Sequence, residues 1–314
     1  MTTAPTRRRP PASSMQTEAR EGLRLRRRSE NVRGWLYCSP FLFFFLMFLV
    51  WPTVSGLYMS FTGRTLTGAN TGWVGVENYV EAFADPEVWS SLANTVWFTV
   101  LSAVPLVVLA LLLAVLVNTG LPGQWFWRLS FFLPYLLAST VISLFWTWLF
   151  NPQLGLLNTA LGWAGLEPIQ WLTDENWAMH SVVIATVWWT IGFNFLLYLA
   201  ALQSIPDQLY EAAALDGAGT WRKFISITLP QLAPTTVLVV VLQILASLKI
   251  FDQIYQMTGG GPAGATRPIL QYVYEVGFTG YRLGYASAIS YIFFFSIIAI
   301  SVVYTVAITR RRVK

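Results

Sequence analysis

Long apolar runs separated by short polar intervals dominate the chain. A helix needs about twenty apolar residues to cross a bilayer core, and six runs meet that length: 35–61, 91–117, 129–150, 181–203, 235–257 and 286–308. They predict six transmembrane helices, and so an all-α polytopic membrane protein. Prolines fall inside three of the runs, Pro40 and Pro52 in the first, Pro105 in the second and Pro134 in the third. Each removes a backbone N–H, and in lipid the freed carbonyl has to find a partner on a neighbouring helix or in water. Kinked helices around a pathway are one consequence and irregular packing is the other. Between the first two runs, residues 76–89 read as a short amphipathic helix interrupted by Pro86, with Trp73, Tyr79, Phe83 and Trp89 at headgroup depth.

One interval is not explained by the bilayer. Residues 205–234, IPDQLYEAAALDGAGTWRKFISITLPQLAP, are polar and broken between two apolar runs. Pro206 suits the first turn of a helix, and Asp207 and Glu211 place negative charge near its positive end. Leu209, Ala212, Ala213 and Leu215 form a face of mostly small residues. Asp216-Gly217 stops that helix, because glycine takes the left-handed turn cheaply, Thr220 caps a second short helix, and Pro230 closes it. The predicted element is helix, glycine turn, helix, with a shallow surface suited to a partner domain.

Composition and charge narrow the picture. With 55% hydrophobic and only 11% charged residues in 314, the chain is not an ordinary soluble domain. A single cysteine, Cys38, excludes an internal disulfide, and a single histidine, His180, offers no metal site. The net charge of +5 comes from basic residues in tails and loops beside the spans, where anionic lipid rather than nucleic acid is the expected partner. Residues 1–34 carry nine arginines without an apolar period and read as a disordered tail. If that tail is cytoplasmic, six crossings put residues 204–234 and the basic tail at 310–314 inside as well. The outer segments are then rich in Glu and Asp, in keeping with the positive-inside rule. The expected organisation is a basic cytoplasmic tail at 1–34, a first helix with an outer amphipathic segment at 35–90, a transmembrane core at 91–309 containing the loop at 205–234, and the short tail at 310–314.

Polar side chains within a span are costly and usually face the bundle interior. Projected as one helix, the fifth run places Gln243, Ser247, Ile250 and Ile254 on one face, and Lys249, Asp252, Gln253 and Gln256 on roughly the opposite one. The first face can exchange hydrogen bonds with a hydroxylated solute, or simply bond neighbouring helices together.

Glu211-Ala212-Ala213, Asp216-Gly217-Ala218, Ile227 and Leu229-Pro230 resemble the EAA loop of ATP-binding-cassette importer permeases. Trp73-Val74-Gly75, Asn78-Tyr79, Phe131 to Pro134, Phe251 to Tyr255 and Thr258 to Pro262 are similar to the carbohydrate-uptake branch, and to the first of its two permeases. The resemblance runs from about Trp35 to the C-terminus. It implies a type I importer permease of the bacterial plasma membrane with a cytoplasmic EAA-type coupling helix. It also implies a second related permease, two ATPase subunits, an external solute-binding protein and a sugar as substrate. Glu211, Ala212, Ala213, Asp216, Gly217, Ala218, Leu229 and Pro230 would then couple to the ATPase. Thr190, Phe193 and Asn194, with Trp189, would join Gln243, Ser247 and Ile250 along the substrate pathway. The chain has no GxxxxGK[ST] sequence, so ATP and Mg belong to the partner ATPase and this chain needs no cofactor of its own. Glycerol phosphate is an alternative substrate, which would favour a cation in the pathway; Lys249 faces away from Gln243 in the projection. An ion-coupled transporter is the rival of another class, with Asp252 its sole strong acidic candidate.

Overall fold

The computed structural model describes residues 35–68, 70–120 and 122–312. The predicted tail at 1–34 and the last residues of the one at 310–314 lie outside the described residues. The chain divides into two units, at Met59/Ser60.

The first unit is the body of helix α1, Trp35–Ser60. A π-turn at Leu46–Val50, in which the Trp51 N–H bonds to the Leu46 carbonyl, stands just before Pro52. A π-turn shifts the hydrogen-bond register by one residue, and so accommodates a ring that an α-helical turn would reject.

The second unit opens with an antiparallel hairpin, β1 (Thr62–Arg64) and β2 (Asn70–Trp73), paired Thr62 to Trp73 and Arg64 to Asn70 with an irregular register between. Helix α2, Glu77–Ala84, follows. The sequence reading has Pro86 interrupting this helix. Instead Asp85 ends it and caps the next, its Oδ1 accepting from the Glu87 N–H at 2.9 Å, with Pro86 in the first turn where no N–H is needed. Helix α3 then runs Pro86–Asn118 without a break at Pro105. Its Ala103, Leu106, Ala110, Ala114 and Val117 are buried at helical spacing. Small residues let backbones approach closely in lipid, and Ala110, Ala114 and Val117 pack with Phe195, Tyr198, Leu199 and Leu202 of α7, Glu175–Gln203.

The third run is not one helix. Helix α4, Gln124–Phe132, continues through a 3-10 turn at Leu133–Leu136, and α5, Ser139–Leu149, leaves at 99°. Pro134 sits in the 3-10 turn, and the carbonyl of Leu137 at the bend accepts from Trp189 Nε1 of α7 at 3.2 Å. A lipid-depth bend needs such a donor. Gly192 makes the other contact possible: a Cβ there would collide with the Phe131 carbonyl oxygen and lie 2.7 Å from Phe132 Cα. The short α6, Leu156–Trp163, and then α7 follow.

After α8, Asp207–Leu215, the chain forms one helical run, α9, Thr220–Ser247. Two expectations fail here. Gly219, not Thr220, is the N-cap, and Pro230 does not close the helix. A π-turn at Phe224–Thr228, where the Leu229 N–H bonds to the Phe224 carbonyl, precedes Pro230 just as the earlier one precedes Pro52. The predicted end of the fifth run at Met257 is also wrong. Helix α9 stops at Ser247, the chain breaks over Leu248 to Phe251, and a separate α10, Asp252–Met257, begins. The one-helix projection therefore does not hold past Ser247. Two more elements complete the unit: α11, Ile269–Tyr274, with a π-turn at Glu275–Thr279, and α12, Leu283–Arg312, which begins three residues before the predicted Ala286.

Candidate functional site

Three places in the second unit concentrate polar chemistry. The first is the junction of α8 and α9. Helix α8 ends in a Schellman turn: Gly217 has φ +74°, its N–H bonds to the Ala214 carbonyl at 3.0 Å, and the Ala218 N–H reaches the Ala213 carbonyl at 2.9 Å. Two hydroxyls brace the element from beneath, Tyr210 Oη and Thr228 Oγ1 at 3.0 Å, while Tyr210 packs on the α3–α7 core. The upper surface is open. Glu211, Ala212, Asp216 and Gly217 are exposed, Ala213 and Ala218 half-buried, and Leu215 and Trp221 are 90% and 72% exposed. Leu229 and Pro230 lie beyond the π-turn, within α9.

The second is a polar network buried between helices. Asn194 Nδ2 of α7 donates to Gln243 Oε1 of α9 at 3.1 Å, Gln243 Nε2 donates to Ser247 Oγ at 3.0 Å, and Ser247 Oγ meets Ser102 Oγ of α3 at 3.0 Å. All four residues are buried, Gln243 being 7% exposed. Asn194, Gln243 and Ser247 were legible as a group from the sequence. Ser102 was not, and its signal was one small hydroxyl in an apolar run. Thr190 gives its hydroxyl proton to the Thr186 carbonyl at 2.8 Å, and Phe193 stacks on Tyr135 of the bent segment with ring centroids 5.3 Å apart. Ile250 lies in the break after α9, off the helix face of Gln243: its N–H bonds to the Ser247 carbonyl at 3.1 Å, and it packs on the cluster around Phe98, Ile142 and Met179. Gln253, placed by the projection on the opposite face, is buried and accepts from Thr186 Oγ1 at 2.7 Å. Lys249 and Asp252 do not neutralise each other by an ion pair, and both are exposed.

The third is a strap across the ends of α2 and α3. Asp85 Oδ2 accepts from the hydroxyls of Tyr272, at 2.5 Å, and Tyr285, at 2.7 Å. Burial, reinforced by the bond to Asp85, pushes the Tyr272 phenol up to about 12. Arg282 forks onto Glu81 at 2.7 and 2.6 Å, which raises its own pKa further. Arg267 pairs with Glu87 and, at 3.4 Å, with Glu275. Asn94 Nδ2 donates to the carbonyls of Gly264 and Arg267 at 2.8 and 3.1 Å. None of these partners was paired from the sequence, because, apart from Arg267 and Glu275, the residues that meet are 170 to 201 positions apart.

Several long apolar helices, a bent pair between them, a neutral polar network inside and an exposed capped turn at one end define a multi-pass membrane permease. Among the described residues, four helices are long and apolar enough to cross a membrane, or five with the bent pair, in agreement with that class. The family described as binding-protein-dependent transport system inner membrane component matches residues 82–314. The chain belongs to this family of ATP-binding-cassette importer permeases and has the type I importer permease fold; it is a transport subunit, not an enzyme. Family membership sets the ion-coupled alternative aside.

Among its relatives, the sulfoquinovosyl glycerol transport system permease SmoG of Agrobacterium fabrum is 35% identical over 270 residues, covering 86% of this chain and 88% of that protein. The sn-glycerol-3-phosphate transport system permease UgpA of the same organism is 38% identical over 274 residues, covering 86% and 92%. A chain in the crystal structure of a bacterial ABC transporter involved in import of the acidic polysaccharide alginate aligns with a TM-score of 0.78 and 27% identity, covering 92% of this chain and 99% of that one.

Proposed function

We propose that this chain is one of two related permeases in a bacterial importer that takes an oligosaccharide from an external solute-binding protein and passes it to the cytoplasm. A pair of ATPase subunits, which bind ATP and Mg, dock on α8 and the start of α9. Six crossings, α1, α3, the bent α4–α5 pair, α7, α9 and α12, leave both termini and the docking turn inside. The observation that carries this reading is the continuity of α9. One 28-residue helix joins the exposed turn to Gln243 and Ser247, so a displacement at the turn is a displacement at the network. Closure of the ATPase pair tilts this helix and exchanges outward for inward access. Thr190, Phe193, Asn194, Gln243, Ser247 and Ile250 form the pathway side, and the uncharged amides and hydroxyls among them suit a hydroxylated solute.

Glycerol phosphate is the second reading, and Lys249 favours it. The break at Leu248 to Phe251 removes the helix-face argument against this residue, which is an exposed cation two positions from Ser247.

The test is co-purification of the tagged chain in mild detergent, followed by reconstitution in proteoliposomes. Recovery of an ATPase, a second permease and a binding protein, with ATP-dependent uptake of a disaccharide or longer sugar, supports the first reading. Uptake of sn-glycerol 3-phosphate alone selects the second. Recovery of the chain alone sinks both.

Gln243→Ala gives a sharper measurement. Interhelical hydrogen bonds in membranes are worth only about 0.6 kcal/mol each, so the variant should still assemble with the ATPase while its uptake affinity falls. Unchanged affinity returns Gln243 to a packing role.

A further inference from the structure

Beyond the break in α9 lies a cluster of aromatic rings that neither the docking turn nor the buried network uses. Phe251 stacks on Tyr255 with centroids 5.5 Å apart, and both lean on Tyr274, at 5.5 and 5.7 Å. Tyr274 in turn stacks on Phe278 at 5.4 Å. Ring clusters of this size are ordinarily core, yet Tyr255 is 46% exposed, Tyr274 37% and Phe278 54%.

What surrounds the rings decides what can cover them. Lys249, Asp252 and Gln256 are all exposed on the same short stretch, and Gln256 Nε2 is held by Thr140 Oγ1 of α5 at 3.2 Å. Lipid tails would meet two charges, which hydrocarbon solvates poorly. Exposed rings that share a short stretch of chain with charges and an amide instead match a sugar, whose axial C–H face stacks on an aromatic ring while its equatorial hydroxyls take hydrogen bonds at the rim.

We propose that Tyr255, Tyr274 and Phe278, with Phe251 behind them, form a saccharide-stacking platform. It receives the solute before Ser247 and Gln243 do, and Lys249 and Asp252 serve as hydroxyl partners along its edge. The platform rests on the oligosaccharide reading above and adds a place and a chemistry to it. Successive rings favour solutes with successive sugar units, so the platform selects for chain length.

The experiment uses the complete reconstituted transporter at saturating binding protein, with radiolabelled maltotriose, lactose and trehalose as probes. Tyr255→Leu and Tyr274→Leu keep apolar bulk and lose the ring; Tyr255→Phe and Tyr274→Phe keep the ring. Each leucine variant should raise the uptake KM for the sugar that wild type carries by about three- to tenfold, with kcat retained, while each phenylalanine variant stays within about twofold. Leucine variants with a wild-type KM overturn the platform and leave the oligosaccharide reading standing. Loss of the co-purifying second permease in the leucine variants also overturns it, by making the rings a subunit interface. A wild type that carries none of the three sugars, but does carry sn-glycerol 3-phosphate, overturns the oligosaccharide reading and the platform with it.

Discussion

Gly192→Val is expected to prevent accumulation of a correctly folded permease. The added carbons would enter backbone rather than a flexible side chain, since even a Cβ at this position collides with the Phe131 carbonyl and crowds Phe132. Neither element can yield by a rotamer change, so α7 and α4 must separate. Overpacking of this kind costs about 1–3 kcal/mol and occasionally more. Separation would also strain the bond from Trp189 Nε1 that satisfies the Leu137 carbonyl at the bend, and a carbonyl left bare at that depth adds several kcal/mol. Size-exclusion profiles and thermal unfolding of the detergent-solubilised variant check this. Gly192→Ala should show the same defect in weaker form, and a valine variant with the wild-type Tm would mean that the contact is not maintained in the membrane.

The second large effect is of the opposite kind: Gly217→Val should fold and assemble yet fail to link ATP hydrolysis to uptake. A Cβ at Gly217 meets nothing within 4 Å, so no packing is lost. The cost lies in the backbone, because a β-branched residue at φ +74° is strained by about 1–2 kcal/mol or more. That strain is relieved by opening the turn, which moves α8 against the start of α9. ATPase activity should persist while transport in proteoliposomes drops to near background. Gly217→Asn should restore much of the coupling, since asparagine tolerates the left-handed region. Wild-type uptake by the valine variant would remove the mechanical role assigned to the turn.

These two glycines differ in how far the sequence announces them. Gly217 was readable because Asp216-Gly217 follows an amphipathic stretch, and helix stops are local events. Gly192 was invisible, because its requirement comes from a strand of backbone about 60 residues earlier that the fold brings against it. The same division runs through the rest of the chain. Of the six runs, four coincide with helices long and apolar enough to cross a membrane among the described residues, or five with the bent pair; the prolines flagged places of irregularity, but Pro134 sits at a 99° bend whereas Pro105 leaves its helix unbroken. The difference depends on whether the lost hydrogen bond coincides with a 3-10 turn that a neighbouring helix can satisfy. The fifth run misled most. Lys249 is the one charged residue across 248–251, too slight an interruption of the run to mark the break after Ser247 that takes Ile250 off the projected helix face. Of the pathway residues, Asn194, Gln243 and Ser247 do meet, while Ser102 and Thr186 entered through tertiary contact alone.

The strap at the ends of α2 and α3 also constrains how such permeases can recombine. Glu81, Asp85, Glu87 and Asn94 lie in the first third of the chain, and their partners, Gly264, Arg267, Tyr272, Arg282 and Tyr285, in the last. A crossover anywhere between them, however well placed in a loop, joins one parent's carboxylates to another parent's arginines and phenols. Functional chimaeras, in the laboratory or in evolution, therefore have to exchange both segments together, or carry both from the same parent while the sequence between them is replaced.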